Sequence, residues 1–144
     1  MINQNLTDKF FEEQISEFER KLSNKFNNIT ILALSENATV DSFGFNLIKN
    51  GNRQRVISGG DVEYYYDFGK PLNIEQENYD HFKSVLDEEE KEEIREDEGE
   101  DGLENYMKFQ SLWGVPNSLL VKEIGKSPDE IYDENPEFLI YKSS

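Results

Sequence analysis

Residues 87–101 hold eleven carboxylates opposed only by Lys91 and Arg95, the one constellation in this chain dense enough to act on another molecule. Carboxylates at that density can hold a divalent cation, repel anions or attract a basic partner, and the residues among them decide which. Asp97, Asp101 and Gly102 match positions one, five and six of an EF-hand loop. However, Gly99 stands at position three and Lys108 at position twelve, where a bidentate Glu is required. High-affinity calcium binding is therefore not expected. The stretch carries −9 of a net charge of −16, from 31 acidic and 15 basic residues in 144. Glu88, Glu89, Glu92, Glu93 and Asp97 are accordingly the candidates for contact with a basic protein.

Catalytic chemistry finds less to work with. The only histidine, His81, stands four residues after Glu77, a spacing that suits two metal ligands on a helix, but two ligands do not close a site. A Ser-His-acid triad would need His81 beside a nucleophile, and no Gly-x-Ser-x-Gly elbow is present. Ser58-Gly59-Gly60-Asp61 lacks the Lys and following helix that cradle phosphate, and reads as a loop. Carboxylate pairs for glycoside chemistry can be drawn anywhere among so many acids and single out none. Without cysteine there is no disulfide, thiolate or cysteine-ligated metal. The chain reads as non-catalytic, with no catalytic residue, metal site or cofactor expected. Lys49, Arg53 and Arg55 cluster on a hairpin, where they are expected to guard an edge strand.

The elements that must position these residues follow from periodicity. Leu6, Phe10, Phe11, Ile15, Phe18, Leu22 and Phe26 recur at helical spacing, so one amphipathic helix is predicted from an Asn5 cap to Asn27-Asn28, with Glu17 and Lys21 as an i,i+4 pair. Ile29-Thr30-Ile31-Leu32-Ala33-Leu34 reads as a buried strand, and residues 35–39 as a loop. Phe43, Phe45 and Leu47 then alternate up to Asn50-Gly51, a type I′ turn dipeptide. A two-residue turn sets Phe45 against Val56 and Leu47 against Gln54, and predicts one cluster of Phe10, Phe18, Phe45 and Val56. Gly59-Gly60 is expected to break the return strand. Val62, Tyr64, Tyr66 and Phe68 should share one face of the next.

Asn73 and Gln76 resemble a capping box opening a helix whose apolar face is Tyr79, Phe82, Val85 and Leu86. Ile94 is the only apolar residue in 87–102, so the acidic stretch should be solvated rather than packed. A stripe of Leu103, Tyr106, Met107, Gln110 and Trp113 predicts another helix to Gly114. Leu119, Leu120 and Ile124 predict a shorter one to Gly125. Ser127-Pro128-Asp129-Glu130 signals one more helical start, and Phe138-Leu139-Ile140-Tyr141 a closing strand. The fold class expected is α+β: a single domain over residues 1–144, with an N-terminal helix on a small antiparallel sheet, a mainly helical second half, and a solvated segment near 87–102.

Asp41-Ser42-Phe43-Gly44-Phe45, Lys49-Asn50-Gly51, Arg55, Ser58 and Asp67-Phe68-Gly69-Lys70-Pro71-Leu72 together resemble a family of bacterial domains of unknown function. Its pattern is an aromatic-small-Phe strand, an Asn-Gly hairpin, an Arg and an acidic-x-Gly-x-x-Leu segment. The resemblance covers residues 41–72 and implies a hairpin-containing α+β domain with no catalytic residues. It also implies that any family sequence upstream of the first strand is missing.

The acidic balance disfavours direct nucleic-acid or membrane-surface binding, both of which need clustered Lys and Arg. Met1-Ile2-Asn3-Gln4-Asn5 lacks the basic start of a signal peptide, and the longest apolar run is Ile31-Leu32-Ala33-Leu34, so a cytoplasmic protein is expected. In one reading the acidic surface binds a basic protein, as the immunity protein or inhibitor of a basic bacterial toxin, because opposite fields accelerate capture. In another, the stretch is the solvated linker or helix face of a small interaction or structural domain. An unrecognised enzyme is the third. The salt dependence of association separates the first two.

Overall fold

The computed structural model describes residues 10–37, 39, 41–127 and 129–130. Four antiparallel strands lie side by side in chain order: β1 (Thr30–Asn37), β2 (Ser42–Lys49), β3 (Asn52–Gly60) and β4 (Glu63–Gly69). Helix α1 (Glu17–Lys25) precedes the sheet. Helices α2 (Asn73–Val85), α3 (Glu88–Ser111) and α4 (Val115–Ile124) follow it, with a 3-10 turn, Leu112–Gly114, between the last two. The class is α+β.

Local chemistry sets the hairpin turn and a distant strand sets its register. Asn50 and Gly51 take φ of 51° and 74°, the type I′ geometry expected of that dipeptide, so Lys49 pairs with Asn52 and Ile48 with Arg53. Gln54 is then bulged out of the ladder, and Leu47 pairs with Arg55 instead. Phe45 consequently opposes Ile57, and the expected cluster of Phe10, Phe18, Phe45 and Val56 is divided between the two faces of the sheet. A second bulge lies at Tyr65, because Gly59 pairs with Tyr64 and Ser58 with Tyr66. It puts Tyr64 on the face of Asp67, and Tyr66 with Phe68 on the other, where their rings stack at 6.4 Å. Gly59 and Gly60 do not break β3. They lie within it, where a Cβ on Gly59 would come within 2.5 Å of the Glu63 carbonyl oxygen and 2.9 Å of the Phe109 ring.

One face of the sheet carries the main core. Phe43, Phe45 and Ile57 pack there with Phe109, Leu112, Val115 and Leu119. The other face receives the segment before α1. Asn46 Nδ2 donates to the Phe10 carbonyl at 2.8 Å, Ser58 Oγ donates to the Phe11 carbonyl at 3.2 Å, and the Phe11 ring lies over Gly44. Coverage on both sides explains why residues 43–48 and 55–60 are buried without alternation.

The predicted helix from Leu6 to Phe26 is shorter than its stripe. Its described part begins at Glu17, because the Ser16 hydroxyl caps it by accepting from the Glu19 N–H at 3.1 Å. The Glu17 and Lys21 pair forms at 2.8 Å. Strand β1 continues to Asn37, through part of the expected loop. At the other end, Gly125 closes α4 with φ 80°, as its position predicts. Ser127 and Glu130 cap each other: the Glu130 N–H donates to Ser127 Oγ and the Ser127 N–H to Glu130 Oε2. The Asn5 cap and the Phe138-Leu139-Ile140-Tyr141 strand lie outside the described residues. No described helix is long and apolar enough to cross a membrane.

Candidate binding site

Two constructions stand out, the acidic arm and a cleft built around Arg55. Helix α3 starts at Asp87, whose carboxylate accepts from the N–H groups of Glu89 and Glu90, and its first turn sets Glu88, Glu89 and Glu90 at the positive end of the helix dipole. At Gly99 the backbone leaves helical geometry, with φ 79° and ψ −179°, so α3 consists of two arms, 88–98 and 100–111. No atom lies within 4 Å of a Cβ placed there, so the positive φ alone favours glycine. Gly102 instead serves close approach, since its Cβ would lie 2.4 Å from the Glu98 Cβ.

The first arm folds back on the second. Ile94 packs against the buried trio Leu86, Leu103 and Met107, and Tyr106 Oη donates to Glu90 at 3.2 Å. The carboxylates of the stretch are all exposed, and Ile94 is its one apolar side chain on this trio. Its cations are used internally. Lys91 pairs with Glu88 at 2.6 Å, and Arg95 pairs with Glu92 and, at 2.7 Å, with Glu100. The hydrogen bond from Lys91 holds the Glu88 carboxyl below the ordinary range.

Glu88, Glu89, Glu92, Glu93, Glu96 and Asp97 are all exposed, and their i, i+1, i+4, i+5 spacing makes one stripe on the outer side of the arm. The five residues singled out by sequence thus come together. Glu96, which belongs to the same periodicity, joins them.

Arg53 and Arg55 do not guard an edge, because β3 is an interior strand. Arg53 pairs with Glu19 at 2.6 Å and donates to the Glu12 carbonyl, tying the segment before α1 to the sheet. The hydrogen bonding of its guanidinium to Glu19 raises the Arg53 pKa against the opposing effect of burial. Lys49 reaches Glu123 at 3.4 Å.

The Gln54 bulge turns Arg55 into the core face, where it is 2% exposed. Its Nε and Nη2 form a fork with the two oxygens of Glu75 at 2.9 and 2.8 Å, while Nη1 donates to Asp67 and to the Phe68 carbonyl. Burial works against the Arg55 charge, and the hydrogen bonds it donates to Glu75 and Asp67 outweigh it, leaving its pKa above the ordinary guanidinium value. Glu75 also accepts from the Leu72 N–H at 2.6 Å, the capping task predicted for the Asn73 and Gln76 pair. Gly69, at φ 87°, pairs with Arg55, and a Cβ there would come within 2.2 Å of the Gln54 carbonyl oxygen. The bulge and this glycine therefore form one device. The sequence alone points to no site role for Asp67, Gly69 or Glu75, because their meeting with Arg55 is set between elements and not within one.

Between β4, α2 and α3 this network borders an open cleft of about 360 Å³, with Tyr64, Tyr79, Glu104 and Lys108 around it and Ile57, Pro71 and Leu112 among its apolar walls. Burial, and next Asp67, push the Tyr64 phenol above the ordinary tyrosine range. His81 and Glu77 are exposed on α2, and among the described residues no three potential ligands gather around a metal position. Comparison with family models, with curated proteins and with solved structures finds no match to this chain, so the reading of these surfaces rests on their own residues.

Proposed function

We propose that the chain is a non-catalytic binding protein that captures a basic protein through the outer stripe of the acidic arm, as an immunity protein or inhibitor of a basic toxin would. The observation that carries this reading is the segregation of charge on the arm. Glu88 and Glu92 hold Lys91 and Arg95 within it, while Glu89, Glu93, Glu96 and Asp97, exposed and with no ion pair among the described residues, present one sign to solvent. A single-sign face steers an oppositely charged partner, and salt weakens the effect over a screening length of about 10 Å at 0.1 M. The Asp87 cap and the Ile94 anchor hold the stripe in place before contact, which reduces the ordering cost of binding. A cytoplasmic setting, without direct nucleic-acid or membrane contact, belongs to the same proposal.

The test is recovery of the partner from the native host, followed by equilibrium binding of the chain and of a variant with Glu88, Glu89, Glu92 and Glu93 changed to Gln. Weaker binding by the folded variant supports the reading. Unchanged binding returns the stripe to a solvated helix face.

A further inference from the structure

We infer that the cleft lined by Arg55, Tyr64, Asp67, Tyr79, Glu104 and Lys108 is a binding site for an organic cation of the alkylguanidinium class. Its volume of about 360 Å³ suits a small ligand or a single long side chain. Charge decides the sign of the occupant. Three carboxylates, Asp67, Glu75 and Glu104, face two cations, and both cations are already engaged. Arg55 gives its donors to Glu75, Asp67 and the carbonyls of Phe68 and Gly69, while Lys108 pairs with Glu104 at 2.6 Å. Lys108, 53% exposed, keeps donors free beside its Glu104 pair, so the sign rests on the lining's excess of one carboxylate over its cations, which disfavours an anion. An entering cation would meet the Asp67 side chain, 54% exposed, and that of Glu104, 51% exposed, which retain acceptor capacity.

The walls favour a flat cation on an apolar stem. Tyr64 is set by edge-to-face contact with Phe109 at 5.4 Å and is the ring open to a ligand cation, since Lys83 Nζ already stands 5.9 Å from the Tyr79 ring centroid. A guanidinium stacks on such faces, matches a carboxylate in a fork, and is more weakly hydrated than an ammonium. Ile57, Pro71 and Leu112 offer apolar surface to the methylenes behind it. The construction also costs stability that an apolar site would not, because a buried ion pair gains little over hydrophobic packing. Two bulges and a positive-φ glycine aim Arg55 and Asp67 at this place, and bulges commonly re-aim side chains beside binding sites. The cleft is separate from the outer stripe of α3, so this assignment stands whether or not that stripe captures a partner.

A free alkylguanidinium and an arginine side chain on a protein present the same chemistry, and titration of the whole chain followed by amide NMR distinguishes them. The probes are butylguanidinium, N-acetylarginine methylamide, the uncharged isostere butylurea, and inorganic phosphate. Saturable shifts at Tyr64, Asp67, Tyr79 and Lys108 with a guanidinium probe, at dissociation constants on the order of millimolar, support the site. Tighter binding of the arginine amide points to a protein-borne arginine, and binding of butylguanidinium alone to a small molecule. Asp67→Asn should weaken binding about fivefold or more, and the exposed Glu104→Gln, which leaves the Arg55 network intact, about threefold. Glu17→Gln, in the exposed pair with Lys21 on α1, should leave it unchanged. Equal binding of butylurea, preference for phosphate, or no saturable shift at the cleft by either guanidinium probe would overturn the assignment.

Discussion

Arg55 is the residue whose loss the core face should feel most, because its charge is buried and its fork with Glu75 balances a second buried charge. Replacing it with Leu leaves Glu75 buried without its fork, and should cost about 3–5 kcal/mol in urea unfolding. Adding Glu75→Leu should recover much of that loss, since two apolar side chains need no mutual pairing. A double variant as unstable as the single one would mean that the pair contributes more than it costs to desolvate. Tyr64 makes a pH prediction at the same scale. Its folded pKa lies above the unfolded value, raised by burial and then by Asp67. Its contribution to stability is thus fully present below the unfolded tyrosine pKa and is lost as pH rises through the folded one. Thermal melts should fall at alkaline pH less steeply for Tyr64→Phe than for the parent chain, and an absorbance titration should show a tyrosine ionising late.

At the scale of elements, the corner at Gly99 and Gly102 turns a charge run into a seated arm. Because Ile94 is its main apolar anchor, amides of residues 88–98 should exchange faster than those of Phe45 and Ile57. Gly102→Val should push the arm off its seat and cost about 1–3 kcal/mol, with exchange rising along the arm first. Equal protection of the arm and the central strands would show that it is held by more than this contact. The same elements mark where the sequence was legible. Asn50-Gly51, Gly125 and the Ser127 and Glu130 caps have local causes, so their dipeptides and spacings announced them. The bulge at Gln54 is permitted by a remote feature, the missing Cβ of Gly69 on the neighbouring strand, and periodicity within β3 cannot reveal it. Phe10 and Phe11 carry helical spacing, yet they lie outside α1 because their carbonyls are taken by Asn46 and Ser58 on the sheet. Tertiary contacts there outweigh local propensity. Buried Phe109 escaped the predicted stripe for a related reason. The second arm packs on two clusters, with Leu103 and Met107 turned to one and Phe109 to the other.

Across the whole molecule, one sign of charge dominates, and how that charge is distributed matters more than its total. Three positive groups hold elements together: Arg53 with Glu19 before the sheet, Arg55 with Glu75 behind it, and Lys49 with Glu123 across to α4. The outer stripe of the acidic arm remains to meet a partner, and capture by its field is the central claim of the proposed function. Its most direct measurement is the stopped-flow association rate with the recovered partner, from low to high salt, for the chain and for the variant with Glu88, Glu89, Glu92 and Glu93 changed to Gln. The parent rate should fall steeply with ionic strength, while the variant starts slower and falls less, with dissociation little changed. Identical rates and identical salt dependence for the two proteins would contradict the claim.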